Sequence, residues 1–189
     1  GFSTRGLDEA ARRELYVESD LPDLIGQKPA LVQAIAGPLR ANHLFVPADV
    51  CSRADTDRLC DVVLAHHRER PLAIVNEGLL PYLDADEQRR ARDNVRRLLE
   101  RASPDGVWIT TDLSERDETM PLLQRVLTRR LVRRVQREFH RFPDDAAAHA
   151  FLREGGLVGE KLPNLRAQDP DASVRASAEN LRAWRIRRA

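Results

Sequence analysis

The stretch "LAIVNEGLLPYLDADEQRRARDNVRRLLERASPDGVWI", residues 72–109, decides the fold. It opens on the short apolar run "LAIV" (72–75) and closes on a second, "VWI" (107–109). Both are continuous and rich in β-branched or aromatic residues, the pattern of strands buried on both faces of a parallel sheet. Between them "DADEQRRARDNVRRLLERAS" (84–103) has helical periodicity. Asp84 is a natural N-cap, and Glu87 three residues later completes a capping-box pair. "PDG" (104–106) then turns the chain into the second run. Strand, helix and strand in this order form a β-α-β unit with a right-handed crossover.

The same alternation extends outward. Upstream, the apolar runs "LYV" (15–17) and "LFV" (44–46) are each followed by a helical pattern, residues 21–36 and 55–70. The first of these contains "KP" (28–29), which starts, kinks or breaks the helix. Downstream, residues 120–142 read as one long helix with Leu123, Leu127, Leu131, Val135 and Phe139 on a stripe. "DDAAAHAFLREGG" (144–156) reads as a short helix closed by glycines, and "LVGEKLP" (157–163) and "AWRIRR" (183–188) as a final pair of strands at the sheet edge. The chain is expected to form one α/β domain over residues 1–189, with a doubly wound, mostly parallel sheet and an antiparallel edge at its C-terminal end.

Composition narrows the partners. A net charge of +1 makes the molecule as a whole no electrostatic magnet for nucleic acid. No apolar run approaches the length of a membrane span, and no secretory signal pattern is visible, so a cytoplasmic protein is expected. Cys51 and Cys60 make no C-x-x-C spacing and read as reduced and buried. Residues 121–141 hold seven arginines and one glutamate. A basic amphipathic helix of this kind binds anionic membranes or nucleic acid in some proteins, but more often covers a helix flank and pairs with neighbouring acids, the reading favoured for this one. His66 and His67 are adjacent, and His43, His140 and His149 are isolated, so no metal is assigned.

The chemistry is signalled by position. Glu18 and Asp20 follow the first run, Asp49 the second, Glu77 the third and Asp112 the fourth. Parallel topology gathers such positions at the carboxyl edge of the sheet, where open α/β sheets bind ligands. Any one of these acids is most simply a cap or turn residue, but five in series line a pocket. Several carboxylates suit a pyrophosphate poorly. They suit a ligand with ribose, adenine, an amino group and a positive centre but no phosphate, a description that S-adenosylmethionine fits.

Five segments, "GFSTRG" (1–6), "YVESDLPDLIGQK" (16–28), "PADV" (47–50), "AIVNEGLLPYL" (73–83) and "GVWITTDLS" (106–114), occur in the order found in a known family. Together they resemble the leucine carboxyl methyltransferase family, class I S-adenosylmethionine-dependent enzymes, and within it the bacterial, tetracenomycin-type branch of polyketide O-methyltransferases. "FPDDAAAHAFLREGGL" (142–157) continues the likeness more loosely. The resemblance implies a cofactor site in which Gly1 belongs to the glycine loop under the methionine portion and Asp20 holds the ribose hydroxyls, while also able to cap the following helix. Asp49 and Val50 meet the adenine, with a plain turn role for Asp49 equally open, and Glu77 faces the amino end of the cofactor. It implies methyl transfer to a carboxyl or hydroxyl group of a small molecule, such as a polyketide-type metabolite. An ionised carboxylate acceptor requires no general base, in keeping with the lack of a Ser/His/Asp or Cys/His constellation, and no catalytic residue is assigned. Relative to the family, the segment before Gly1 would carry a helical cap, an arginine for the cofactor carboxylate and the first, central strand. Without them the polypeptide by itself is expected to bind cofactor poorly. A nucleotide-binding enzyme of another class, such as a dehydrogenase, and a non-catalytic remnant of the methyltransferase fold are the alternatives.

Overall fold

The structure is a computed structural model that describes residues 15–66, 71–113, 140–163 and 183–189. Among the described residues the strands and helices follow the expected order. β1 (Tyr16–Asp20) leads through α1 (Pro22–Ile25) and α2 (Lys28–Ala36) to β2 (His43–Pro47), and α3 (Arg53–His66) precedes β3 (Ala73–Asn76). A 3-10 turn at Leu80–Tyr82 then leads to α4 (Ala85–Ala102) and β4 (Val107–Thr110). The C-terminal part supplies α5 (Asp145–Glu154), β5 (Leu157–Lys161) and β6 (Trp184–Arg188). The "KP" pair starts a helix rather than breaking one. Pro22 and Pro29 each occupy the first turn of their helix, where a missing N–H costs nothing, and Gly26 and Gln27 separate the two.

Two parallel pairs form the frame. β1 pairs with β2 in the register Tyr16↔His43 to Asp20↔Pro47, and β3 pairs with β4 in the register Ala73↔Val107 to Asn76↔Thr110. The second pair continues antiparallel through β6 to β5, in the order β3-β4-β6-β5. The two C-terminal strands therefore do extend the sheet, with β5 at the edge and β6 inside. β6 shows the period of two that this position requires, with Trp184 and Ile186 buried and Arg185 and Arg187 exposed.

Among the described residues the sheet is in two parts, in line with the expectation that its first, central strand is missing, but β3 is not buried on both faces as its apolar run suggested. The β1-β2 pair and the four-stranded sheet are not hydrogen-bonded to each other, so β1 and β3 each end a sheet. Exposure follows: Ala73 and Val75 on β3 are open to solvent, and Val75 is 49% exposed. An apolar run need not be a buried strand when no neighbour covers it. Also different is the end of the long helix expected over 120–142. Residues 140–142 are not helical, and the backbone N–H of His140 donates to the carbonyl of Pro81 at 2.8 Å. Phe142 turns into the core against Phe151, ring centroids 4.9 Å apart. The rest of that segment, including all but the last two positions of the arginine-rich stretch, lies outside the described residues.

α4 is the central helix. The capping box forms as the sequence requires: the Glu87 N–H donates to Asp84 at 2.8 Å and the Asp84 N–H donates to the Glu87 carboxylate at 2.9 Å. Its inner face, with Ala91, Val95 and Leu99, packs into a core with Trp108, Leu152, Leu157, Trp184 and Ile186. Arg92 is also buried on this face. Its guanidinium donates to the carbonyl of Phe151 at 2.6 Å and to Asp93 at 2.8 Å, and it lies over the Phe151 ring, which ties α4 to α5. α5 approaches the β5-β6 ladder closely because Gly159 has no side chain. A Cβ there would stand 2.6 Å from Leu152 Cδ1 and 3.2 Å from the Trp184 ring. Gly159→Ala is therefore expected to lower stability by about 1–3 kcal/mol through overpacking. A urea-unfolding midpoint equal to that of the unaltered protein would contradict this close approach.

Candidate functional site

A cavity of about 310 Å³ opens between the carboxyl ends of β1 and β3. This lies at the low end of the range of roughly 300–1,000 Å³ common for small-molecule sites. Ser19 and Asp20 at the end of β1 form one wall, and the loop after β2, Ala48 to Cys51, forms a second. Ile74, Val75 and Asn76 of β3 form a third, and Leu59, Leu83, Val95 and Leu98 supply an apolar floor. The lining is thus largely apolar, with a few polar groups at its edge, the common composition of a ligand site.

Asp20 and Asp49 reach the same cavity because β1 and β2 run parallel and end in register. The carbonyl of Asp20 accepts from Ala48 N at 3.0 Å, which stitches the end of β1 to the loop after β2. The Asp20 carboxylate accepts from Leu21 N at 2.9 Å. Asp49 plays the turn role as well as lining the cavity: its Oδ1 accepts from Cys51 N at 2.8 Å, a local Asx turn. Asp49 N in turn donates to Asp55 Oδ2 at 3.0 Å. This bond holds the Asp55 carboxyl below the usual carboxylate range, outweighing burial, and the guanidinium of Arg58 acts in the same direction. The linkage stabilises the loop at neutral pH, and its contribution is lost as acid carries the solution below the ordinary carboxylate value. Val50 packs against the core, and its carbonyl accepts from Asn94 Nδ2 of α4 at 2.8 Å.

The remaining acids of the series do not join them. Glu18 lies within β1 rather than after it, and its buried carboxylate is taken up by Lys28 and by His43 Nε2 at 2.7 Å. Asp112 faces inward as well. Its carboxylate accepts from the backbone N–H groups of Gly78 (2.7 Å), Leu79 (2.7 Å) and Leu80 (3.0 Å) and from Asn76 Nδ2 (2.6 Å). Trp108 Nε1 donates to the other end of the Asn76 amide at 2.5 Å. Glu77 follows the lining residue Asn76 but does not itself line the cavity, and it is exposed. Gly1 lies outside the described residues.

Residues that the sequence reading passed over also line the site. Cys51 is half-buried rather than fully buried, and its thiol donates to the carbonyl of Glu87 at 3.6 Å. Burial pushes this thiol up to about 11, and the negative charges of Asp49 and Glu87 add to the effect. No local pattern marks a cavity-facing cysteine, because its surroundings come from α4, 36 positions along the chain. Among the described residues no three His, Cys, Asp or Glu side chains gather as a metal site, and no helix is long and apolar enough to cross a membrane.

The family model for leucine carboxyl methyltransferase matches residues 6–96, the part of the chain that carries β1 to β3 and the cavity loops. Among solved structures, an O-methyltransferase family protein from Burkholderia thailandensis is 14% identical over 98% of this chain and 47% of its own, with a TM-score of 0.60. The chain has the methyltransferase fold. PigF with SAH is similar at 12% identity, TM-score 0.61, over 97% of this chain and 46% of that one. The mitomycin 7-O-methyltransferase MmcR is 16% identical, with a TM-score of 0.55, over 92% of this chain and 41% of that one. The chain thus spans less than half the length of each of these proteins. No curated protein sequence matches it.

Two outcomes are expected of the site. Asp112→Asn replaces an acceptor oxygen with a donor aimed at backbone N–H groups, and is expected to cost about 2–4 kcal/mol in urea unfolding. A cost of under half a kilocalorie would show that the network is not needed. The raised thiol keeps Cys51 protonated at pH 8, so iodoacetamide should alkylate it roughly 10–100-fold more slowly in the native protein than after unfolding. The stability that this shift contributes is present at neutral pH and is lost as pH rises from about 9 through about 11. Equal alkylation rates, read by mass spectrometry, would contradict the burial of this thiol.

Proposed function

We propose that the chain is the cofactor-binding part of an S-adenosylmethionine-dependent O-methyltransferase of the leucine carboxyl methyltransferase type. The observation that carries this reading is the convergence of Asp20 and Asp49, from two adjacent parallel strands, on one largely apolar cavity. The donor set suits the group. Two carboxylates offer acceptors for ribose hydroxyls and an exocyclic amine, and Val50, Leu59 and Leu83 offer apolar surface for a flat base. Among the described residues the cavity lining contains no Lys or Arg to receive a pyrophosphate, which suits this ligand better than a dinucleotide. The match of the family model to the same segment, and the fold shared with O-methyltransferases, support the reading.

In this assignment Asp20 holds the ribose hydroxyls, and Asp49, with its second oxygen, accepts from the adenine amine beside Val50. Glu77, which follows the lining residue Asn76, is assigned by the family resemblance to the amino end of the cofactor. When bound, the cofactor supplies a methyl group activated on a sulfonium. The work left to the protein is to align an acceptor oxygen and exclude water, since a carboxylate acceptor is already ionised near neutral pH. The acceptor class proposed is a carboxylate, or a hydroxyl, of a small molecule such as a polyketide-type metabolite, as in the tetracenomycin-type branch.

The test is ligand-observed NMR titration of this protein with S-adenosylmethionine, S-adenosylhomocysteine and a nicotinamide dinucleotide. Weak binding of the first two is expected, because β1 and β3 flank the cavity without a strand between them among the described residues. Asp20→Ala and Asp49→Ala should each weaken it by about tenfold or more, the worth of a lost charge-assisted hydrogen bond. Tighter binding of the dinucleotide, or affinity untouched by both substitutions, would overturn the proposal.

A further inference from the structure

Glu18, Lys28 and His43 form a buried charged cluster beside the cavity, and neither cofactor contact nor methyl transfer, as assigned above, uses it. The three residues are 9%, 7% and 5% exposed. Glu18 comes from β1, Lys28 from the first turn of α2 and His43 from the start of β2. Both carboxylate oxygens are engaged, Oε1 by His43 Nε2 at 2.7 Å and Oε2 by the Lys28 ammonium. Phe45 stacks on the His43 ring at 4.4 Å and Tyr16 meets its edge at 5.5 Å, so the imidazole is held on both sides. A buried ion pair adds little net stability over an apolar replacement, and its better-attested role is to specify an arrangement.

The arrangement specified here contains Asp20. The Glu18–Lys28 pair closes the chain segment 18–28 into a ring, and Asp20 lies within that ring, two residues beyond Glu18 on the same face of β1. His43 holds the second carboxylate oxygen, so Glu18 cannot swing with Lys28 if α2 shifts. The β2 strand that begins at His43 also ends at the loop whose Ala48 N–H bonds the Asp20 carbonyl. We infer that Glu18, Lys28 and His43 are positioning residues that fix the Asp20 carboxylate for the vicinal hydroxyls of a ribose. This inference rests on the proposed role of Asp20 and adds residues that touch no ligand.

The experiment separates the two. Dissociation constants for adenosine and for 2′,3′-dideoxyadenosine are measured by ligand-observed NMR on the unaltered protein and on Asp20→Ala, Lys28→Met and the double variant Glu18→Gln/Lys28→Met. The unaltered protein should prefer adenosine by about tenfold, the worth of a charge-assisted hydrogen bond. Asp20→Ala should erase that preference. Lys28→Met should reduce it to about threefold or less while leaving dideoxyadenosine affinity unchanged, a split that a general loss of stability does not produce. The double variant removes both buried charges and so keeps a folded protein available if the single one unfolds; it too should lose the preference. Full hydroxyl preference in a folded Lys28→Met or double variant overturns the positioning role. Preference retained in Asp20→Ala overturns the ribose assignment instead, and no preference or no binding in the unaltered protein overturns both.

Discussion

The carboxylate of Asp112 is the constraint on which the described structure most depends. It receives three consecutive backbone N–H groups, from Gly78, Leu79 and Leu80, just where the chain leaves β3 and must turn toward α4. Gly78 makes the turn possible with a φ of 64°, a left-handed conformation that side-chain-bearing residues rarely adopt. A nest of backbone amides of this kind binds an external anion in many proteins. Here the chain fills it with its own carboxylate. The result is a fixed exit from β3, with Leu80 delivered into the core and Asp84 delivered to cap α4. Asn76 joins the same carboxylate and receives the Trp108 indole, so β3, β4 and the turn are held as one unit.

The cavity is the other side of this arrangement. One wall belongs to the β1-β2 pair, the opposite wall to β3, and α3 and α4 supply the floor. Each wall is anchored by its own buried carboxylate, Glu18 on the first and Asp112 on the second. The carboxylates left facing the cavity, Asp20 and Asp49, are thereby set apart from those that hold the frame. The division is physical. A buried carboxylate needs several donors to offset its desolvation, and Glu18 and Asp112 have them. Asp20 and Asp49 line the cavity instead.

Much of the architecture was legible in the chain. The short apolar runs became β1 to β4, the Asp84–Glu87 spacing became a capping box, and "AWRIRR" became a strand with alternate burial. These signals are local: a strand's period of two or a cap's spacing of three is written within one element. Asp20 and Asp49 were legible as cavity residues because parallel topology converts a position after a strand into a place on one edge, whereas Val50 was marked only by the family resemblance. That rule also gathered Glu18 and Asp112, which the structure turns inward.

The sequence by itself determined the order of strands and helices, the caps, and the edge at which a ligand site would form. Only the tertiary structure decided which acids line the cavity and which hold the frame. Glu18 finds His43 25 positions away, and Asp112 finds Gly78 34 positions away. A carboxylate's role depends on the donors that surround it, and those donors come from other elements, brought close only when the sheet and α4 have packed. For the same reason the opening between β1 and β3, and the exposure of Val75 beside it, follow from strand pairing and not from the apolar run that made the strand.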